Sequence, residues 1–151
     1  NNMATLTPTL TLASTDTFAS QPLSLTVTDT LTVSAPMTDI STMNTDDDPR
    51  GYGAGVIIDE EDTNEYYVYV KHTGKLASDG TTDSHATNDF VSVGNGDGDA
   101  AANIIKLQPG EFCFFPTTAA DGSDGGVEVG GVKATAGSAA VRIEYAYFKR
   151  S

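Results

Sequence analysis

Tryptophan is absent from this chain, cysteine occurs once, and no lysine or arginine precedes Arg50. The lone Cys113 excludes an intrachain disulfide, so stability has to come from packing, with oligomer contacts as a further source open to it. It stands among Phe112, Phe114 and Phe115 with no neighbouring His or Lys, where a thiol acts as a small buried hydrophobe rather than a nucleophile. No apolar run approaches the roughly 18 residues that a membrane-spanning helix needs. The cation-free start lacks the basic region of a secretory signal or a transit peptide. Met3 is the candidate native start, with Asn1 and Asn2 either added ahead of it or left from a longer precursor.

Positive charge is scarce throughout: 8 basic side chains face 21 acidic ones, a formal net charge of −13. Such a surface repels phosphate backbones and anionic bilayers, which argues against nucleic-acid and membrane partners. It keeps a dense array of copies soluble before assembly, and it fits equally an acidic soluble protein from a saline habitat. With 151 residues, 38% of them hydrophobic, the chain can bury one core, so a single main domain is expected.

What is present reads as β-structure. Leu23, Leu25, Val27, Leu31 and Val33 alternate with Ser and Thr, which places an aliphatic row on one face and hydroxyls on the other. Asp29 interrupts that row and predicts a bulge or bend. The stretch Thr5 to Leu12 has the same texture, and Pro8 makes it an edge strand or an extended arm. Thirteen Thr residues fall in the first 45 positions, a shift that separates an N-terminal arm, residues 1–22, from a β-sandwich, residues 23–151. The alternative is that both strands belong to the sheet. A polar connection then reaches Arg50, with Gly51, Gly53 and Gly55 as a hinge into the first core strand.

Beyond it, strands are expected at 54–58, 65–72, 89–94, 104–108, 111–116, 126–136 and 139–149, separated by Gly, Asn and Asp turns, with Gly130 and Gly131 marking a bulge. Tyr66, Val68 and Val70 oppose Tyr67, Tyr69 and Lys71, so this two-sided strand is expected at the centre of its sheet. Eight or nine short strands and no helix predict an all-β fold, an antiparallel β-sandwich of jelly-roll type with an extended N-terminal arm. Nine of the twelve Phe and Tyr residues occupy 66–69, 112–115 and 145–148, and these segments are expected to share a core. Phe148 falls opposite Val141, Ile143, Tyr145 and Tyr147, where it either caps the sandwich or meets a partner chain.

Catalytic constellations are missing. His72 and His85 come with no nucleophile-elbow sequence. Glu111 and Glu144 could flank a glycosidic bond only if their strands are adjacent, and there is no Trp platform for a sugar. Zinc is excluded by one Cys and two separated His. Asp97 and Asp99, on a glycine-flexible loop, are weak calcium candidates, although no Glu stands at the final EF-hand position. Residues 59–62 and 46–48 are acidic turns of the same kind. Residues 121–126 carry acids where a phosphate cradle needs amides and a Lys. No catalytic residue and no cofactor are therefore assigned.

Three sets of segments carry a resemblance. Met3 to Leu12 followed by Leu23 to Val33, then Val68 to Gly74 with the Pro109-Gly110-Glu111-Phe112 turn, then Glu144 to Phe148, resemble the virion structural proteins of marine tailed phages. The resemblance covers most of the chain as patterned segments. It implies a capsid decoration (cement) protein: a homo-oligomer, a trimer being one such state, bound to the major capsid protein on the outer capsid surface of the virion and without catalysis. Leu6, Pro8, Leu10, Leu12 and Phe148 are then the expected partner-binding residues, the arm adding a strand to an open edge of a shell subunit or of another copy. A carbohydrate- or calcium-binding module of a tail fibre or extracellular protein, or a self-polymerising tail component, are the competing expectations.

Overall fold

Tyr66, Val68, Val70 and His72 all point inward from one strand, and that alternation organises the whole molecule. A computed structural model describes residues 3–18, 21–49, 51–59, 61–94, 104–118 and 132–151. Among them there are twelve strands and no helix. In chain order these are β1 (Met3–Leu6), β2 (Thr9–Phe18), β3 (Gln21–Thr28), β4 (Leu31–Met37), β5 (Ser41–Asn44) and β6 (Val56–Ile58). The second half holds β7 (Tyr66–Leu76), β8 (Val91–Gly94), β9 (Ile105–Leu107), β10 (Phe112–Pro116), β11 (Val132–Ala136) and β12 (Val141–Arg150).

Two antiparallel sheets face each other. The larger runs β1-β4-β12-β7-β10, with β5 also paired to β12, and the smaller runs β6-β11-β8-β9. After β6 the chain crosses between the sheets at nearly every connection, as in a jelly-roll-like sandwich. The core between them holds Ile57, Tyr66, Val68, Val70, Val91, Val93, Val132, Val141 and Ile143, with Tyr145, Tyr147, Phe115 and Cys113 packed at its margin. Valine and isoleucine dominate because β-branched side chains fit a pleated surface buried on one side. As expected, β7 lies inside its sheet, paired to β12 on one side and β10 on the other.

His72 is fully buried in this core. Its Nδ1 accepts a hydrogen bond from the Gly74 N–H at 3.0 Å, so Nε2 carries the proton and donates to the Asp89 carbonyl at 2.5 Å. The ring thus ties β7 to the start of β8. Gly55 is equally fixed: with φ at +75°, a Cβ there would lie 2.1 Å from the Ala134 carbonyl oxygen. Its N–H donates to Asp47 and its carbonyl accepts from Ala134. The last glycine of the expected hinge is therefore a close-packed junction.

The strand β5 was not legible, being Ser-Thr-Met-Asn with only Met43 apolar. Met43 is nevertheless buried, and Thr45 holds the end of the strand by donating its N–H to the Val141 carbonyl and accepting the Val141 N–H on its hydroxyl.

The first 37 residues depart from expectation. The segment expected as one alternating strand, 23–34, divides at Asp29 and Thr30 into β3 and β4, the bend that Asp29 predicted. Met3–Leu6 joins the large sheet by pairing with β4, while β2 pairs only with β3. The unit that stands apart is thus a two-stranded ribbon of β2 and β3, whose outer ends return to the sheet. The expected boundary at residue 22 falls within it, where Pro22 pairs with Thr17. The face of Leu23, Leu25 and Val27, which would be buried if both strands belonged to the main sheet, is left exposed by the described residues, because its ladder partner is β2 and not the sandwich.

Candidate functional site

Among the described residues, two surfaces are left apolar by the way the chain folds. The first is the ribbon. Leu10 opposes Val27 and Leu12 opposes Leu25, and directly opposed residues of an antiparallel pair share a face. Leu23 extends the same face by one alternation. These five side chains remain exposed, at 49% for Leu10, 43% for Leu12, 40% for Leu23, 42% for Leu25 and 53% for Val27. Thr9, Thr11, Thr26 and Thr28 form the opposite, hydroxyl face, with the Thr9 and Thr28 hydroxyls 3.1 Å apart. Pro8 and Leu6 are half-buried at the base, where the Pro8 carbonyl accepts the Asp29 N–H and Leu6 pairs with Leu31. Of the expected contact residues, Leu10 and Leu12 therefore sit on the uncovered face, and Leu6 and Pro8 anchor it. Ten residues of β2 give the ribbon a length of ~33 Å at ~3.3 Å per residue.

The second surface is the outer face of the large sheet. Register places Tyr67 opposite Phe148 and Pro116, Tyr69 opposite Ala146 and Phe114, and Lys71 opposite Glu144 and Phe112. The nine clustered aromatics do become neighbours across β10, β7 and β12, but alternation divides them. Tyr66, Phe115, Tyr145 and Tyr147 meet the core, while Tyr67, Tyr69, Phe112, Phe114 and Phe148 line the outside. The expectation of one shared aromatic core thus holds for four of them, since consecutive aromatics on a strand cannot face the same way.

Tyr67 and Phe114 stack with centroids 6.0 Å apart, and Tyr69 and Phe112 lie tilted at 6.5 Å. Phe112 is 63% exposed and Phe114 39%. The Arg150 guanidinium lies 5.2 Å from the Tyr67 ring and pairs with Glu65 at 3.0 Å. The Tyr69 hydroxyl donates to Glu144 at 2.8 Å. Burial, reinforced by that carboxylate acceptor, pushes the Tyr69 phenol up to about 12. Phe148 belongs to this face as expected; its four aromatic companions were missed, although their two-sided strands were the available signal.

The glutamates and the acidic turns are engaged within the fold. Glu144 and Glu111 lie on either side of β7, and Glu111 accepts the Gln108 N–H at 2.7 Å. The acidic turns use carboxylates as backbone acceptors, Asp47 from Asn44, Asp59 from Glu61 and Asp62 from Asn64. A cleft of about 290 Å³ opens between Pro36, Ile58, Asp62, Tyr66 and Tyr147. Inside it Tyr66 donates to Asp62 at 2.8 Å and meets the Tyr147 ring edge-on at 5.6 Å. Burial opposes the charge of Asp62, but the bonds from Asn64 and Tyr66 together hold its carboxyl below the usual range. Burial and the same bond drive the Tyr66 phenol far above its ordinary value.

His85 is exposed, with Nδ1 accepting from the Thr87 and Asn88 N–H groups. Cys113, partly buried at the core margin, has its thiol pushed up by burial to about 11. Among the described residues no group of three or more His, Cys, Asp or Glu is arranged to hold a metal ion. Asp97 and Asp99, the glycine-rich stretch 121–126 and the Gly130-Gly131 pair lie outside the described residues. No described helix is long and apolar enough to cross a membrane.

Comparison with family models, with curated proteins and with solved structures gives no match to any of the three.

Proposed function

We propose that this protein is a structural component of a virion, a capsid decoration protein that binds the outer surface of the shell as an oligomer and stabilises it. The observation that carries this reading is the leucine and valine face of the 9–28 ribbon, which the chain's own core does not cover. An isolated two-stranded ribbon is marginal in water, and an apolar face of this size is a contact surface waiting for another protein. The net charge of −13 keeps such a protein off packaged nucleic acid and suits the exterior of a shell. The resemblance of the N-terminal and core strands to marine tailed-phage virion proteins points the same way, with the major capsid protein as the shell partner.

Quantitative mass spectrometry across a density gradient of the source particles tests the reading. Co-migration with the major capsid protein at a fixed, near-equimolar ratio is expected. Absence from the particle band would overturn it, and a few copies per particle would move the protein to the tail.

A carbohydrate-binding fibre module is the second reading, favoured by the flat Tyr67–Phe114 pair beside the Tyr69–Glu144 hydrogen bond. Titration with neutral oligosaccharides, followed by tyrosine fluorescence, separates the two: saturable quenching supports the fibre module, and its absence leaves the decoration role.

A further inference from the structure

The two uncovered faces differ in charge: the ribbon carries carboxylates without cations, whereas the outer sheet face holds Lys71 and Arg150 beside Glu144 and Glu65. On the ribbon, Asp16 lies in the irregular stretch of β2 between Ala13 and Thr17, across from Leu23. Asp29, which caps the Thr30 N–H, follows the last ladder pair, so two exposed carboxylates stand near the two ends of the apolar row. On the outer sheet face, Lys71 stands at one end of the aromatic row. Arg150, whose N–H donates to the Glu65 carbonyl, stands at the other. The two spans agree. From the level of residue 23 to residue 29, and from the level of residue 65 to residue 71, the distance along the strand is ~20 Å at ~3.3 Å per residue.

We infer that the ribbon of one copy lies across the outer aromatic face of a second copy, with Asp16 and Asp29 directed to its Lys71 and Arg150. The leucine and valine row then covers Tyr67, Phe112, Phe114 and Phe148 of the neighbour. The inference rests on the assembly reading and deepens it by naming a second copy of this chain as the ribbon's partner.

Charge is the reason to choose a second copy over a different protein. In a chain of net charge −13, copies meet without repulsion only where carboxylates are thinned or balanced. Residues 1–28 contain one carboxylate, Asp16, and no cation. On the outer face, Lys71 and Arg150 offset Glu144 and Glu65. Both surfaces satisfy the condition, and each is apolar where the other is. Because they differ, the contact is heterologous: every copy gives a ribbon and receives one, and the assembly closes into a ring where the rotation permits.

Sedimentation velocity on the full chain tests this with two variants. Leu12→Asp with Leu25→Asp breaks the ribbon face, and Phe114→Glu breaks the outer face. Far-UV circular dichroism checks that each folds as the wild type does, and Phe112→Glu, at a more exposed position of the same patch, replaces Phe114→Glu if that variant does not. The expected result is an oligomeric wild type, two monomeric variants, and a one-to-one dimer when the variants are mixed, since each retains the surface the other lacks. High salt is expected to loosen the wild-type oligomer.

A monomeric wild type at micromolar concentration overturns the inference, as does a mixture that stays monomeric. An outer-face variant that still assembles also overturns it, and shows ribbons meeting each other. The gradient experiment separates the two claims. A solution monomer that still rides on the particles overturns the self-contact and leaves the shell role, whereas a ring absent from particles does the reverse.

Discussion

Leu12 and Leu25 face each other across the ladder of the N-terminal ribbon, and both keep their outer surface in water. A directly opposed leucine pair ordinarily stabilises a sheet by burying its flank against something else. The described residues leave that flank open, so the pair defines an unfinished contact. The sandwich does not need the ribbon for its own core, which is complete between β7, β12 and the smaller sheet.

Replacing Leu12 and Leu25 by Asp is therefore expected to leave the stability of the isolated fold within about 0.5 kcal/mol of wild type while abolishing assembly. Chemical denaturation of monomeric samples checks the first half. A loss of several kcal/mol would mean that the ribbon is part of the core after all.

Core and outer positions are expected to separate sharply. Ile143→Ala removes a fully buried side chain and is expected to cost about 2–5 kcal/mol. Phe112→Ala, on the exposed aromatic face, is expected to cost less than about 1 kcal/mol, because little of its surface leaves water on folding. Urea midpoints of the two variants give the comparison.

Replacing His72 by Leu keeps the volume roughly constant but leaves the Gly74 N–H and the Asp89 carbonyl without their partner. Each buried group left unpaired costs about 1–3 kcal/mol, so the variant is expected to be among the least stable single substitutions. Faster amide exchange at Gly74, measured by nuclear magnetic resonance, locates the effect. An unchanged melting point would show that the two backbone groups find other partners.

Stability is expected to fall in alkali. Cys113 is raised by burial from its ordinary 9.0 to about 11, and Tyr69 by burial and the Glu144 hydrogen bond from 10.0 to about 12. Both groups are neutral when protonated, and the folded state holds them so. Their contribution is complete below pH 9 and disappears as the pH rises through 11 and 12. Urea midpoints taken from pH 7 upward should stay level and then decline across that window. Cys113→Ala should remove the earlier part of the decline.

Much of the sandwich was legible because its strands obey simple alternation. The central position of β7 followed from its two apolar faces, and the bend at Asp29 from a carboxylate interrupting an aliphatic row. Other features depended on pairing partners, which a single strand does not reveal. Leu23, Leu25 and Val27 carry the pattern of a buried face whether they pack on their own chain or on another. β5 escaped notice because register with β12, not composition, makes Met43 a core residue. The aromatic outer face is half legible: parity places Phe148 there, and the same parity sends Tyr67, Tyr69, Phe112 and Phe114 to that side, although their clustering in sequence suggests a shared core.

Hydrogen–deuterium exchange of residues 9–28 and 112–116, compared between the wild-type assembly and the Leu12→Asp, Leu25→Asp monomer, tests the central claim most directly. Slow exchange of both segments in the assembly, with fast exchange of the ribbon in the monomer, is the predicted result. Equal exchange of the ribbon in the two samples would contradict the account, because the face exposed in a single chain would then remain exposed in the assembled one.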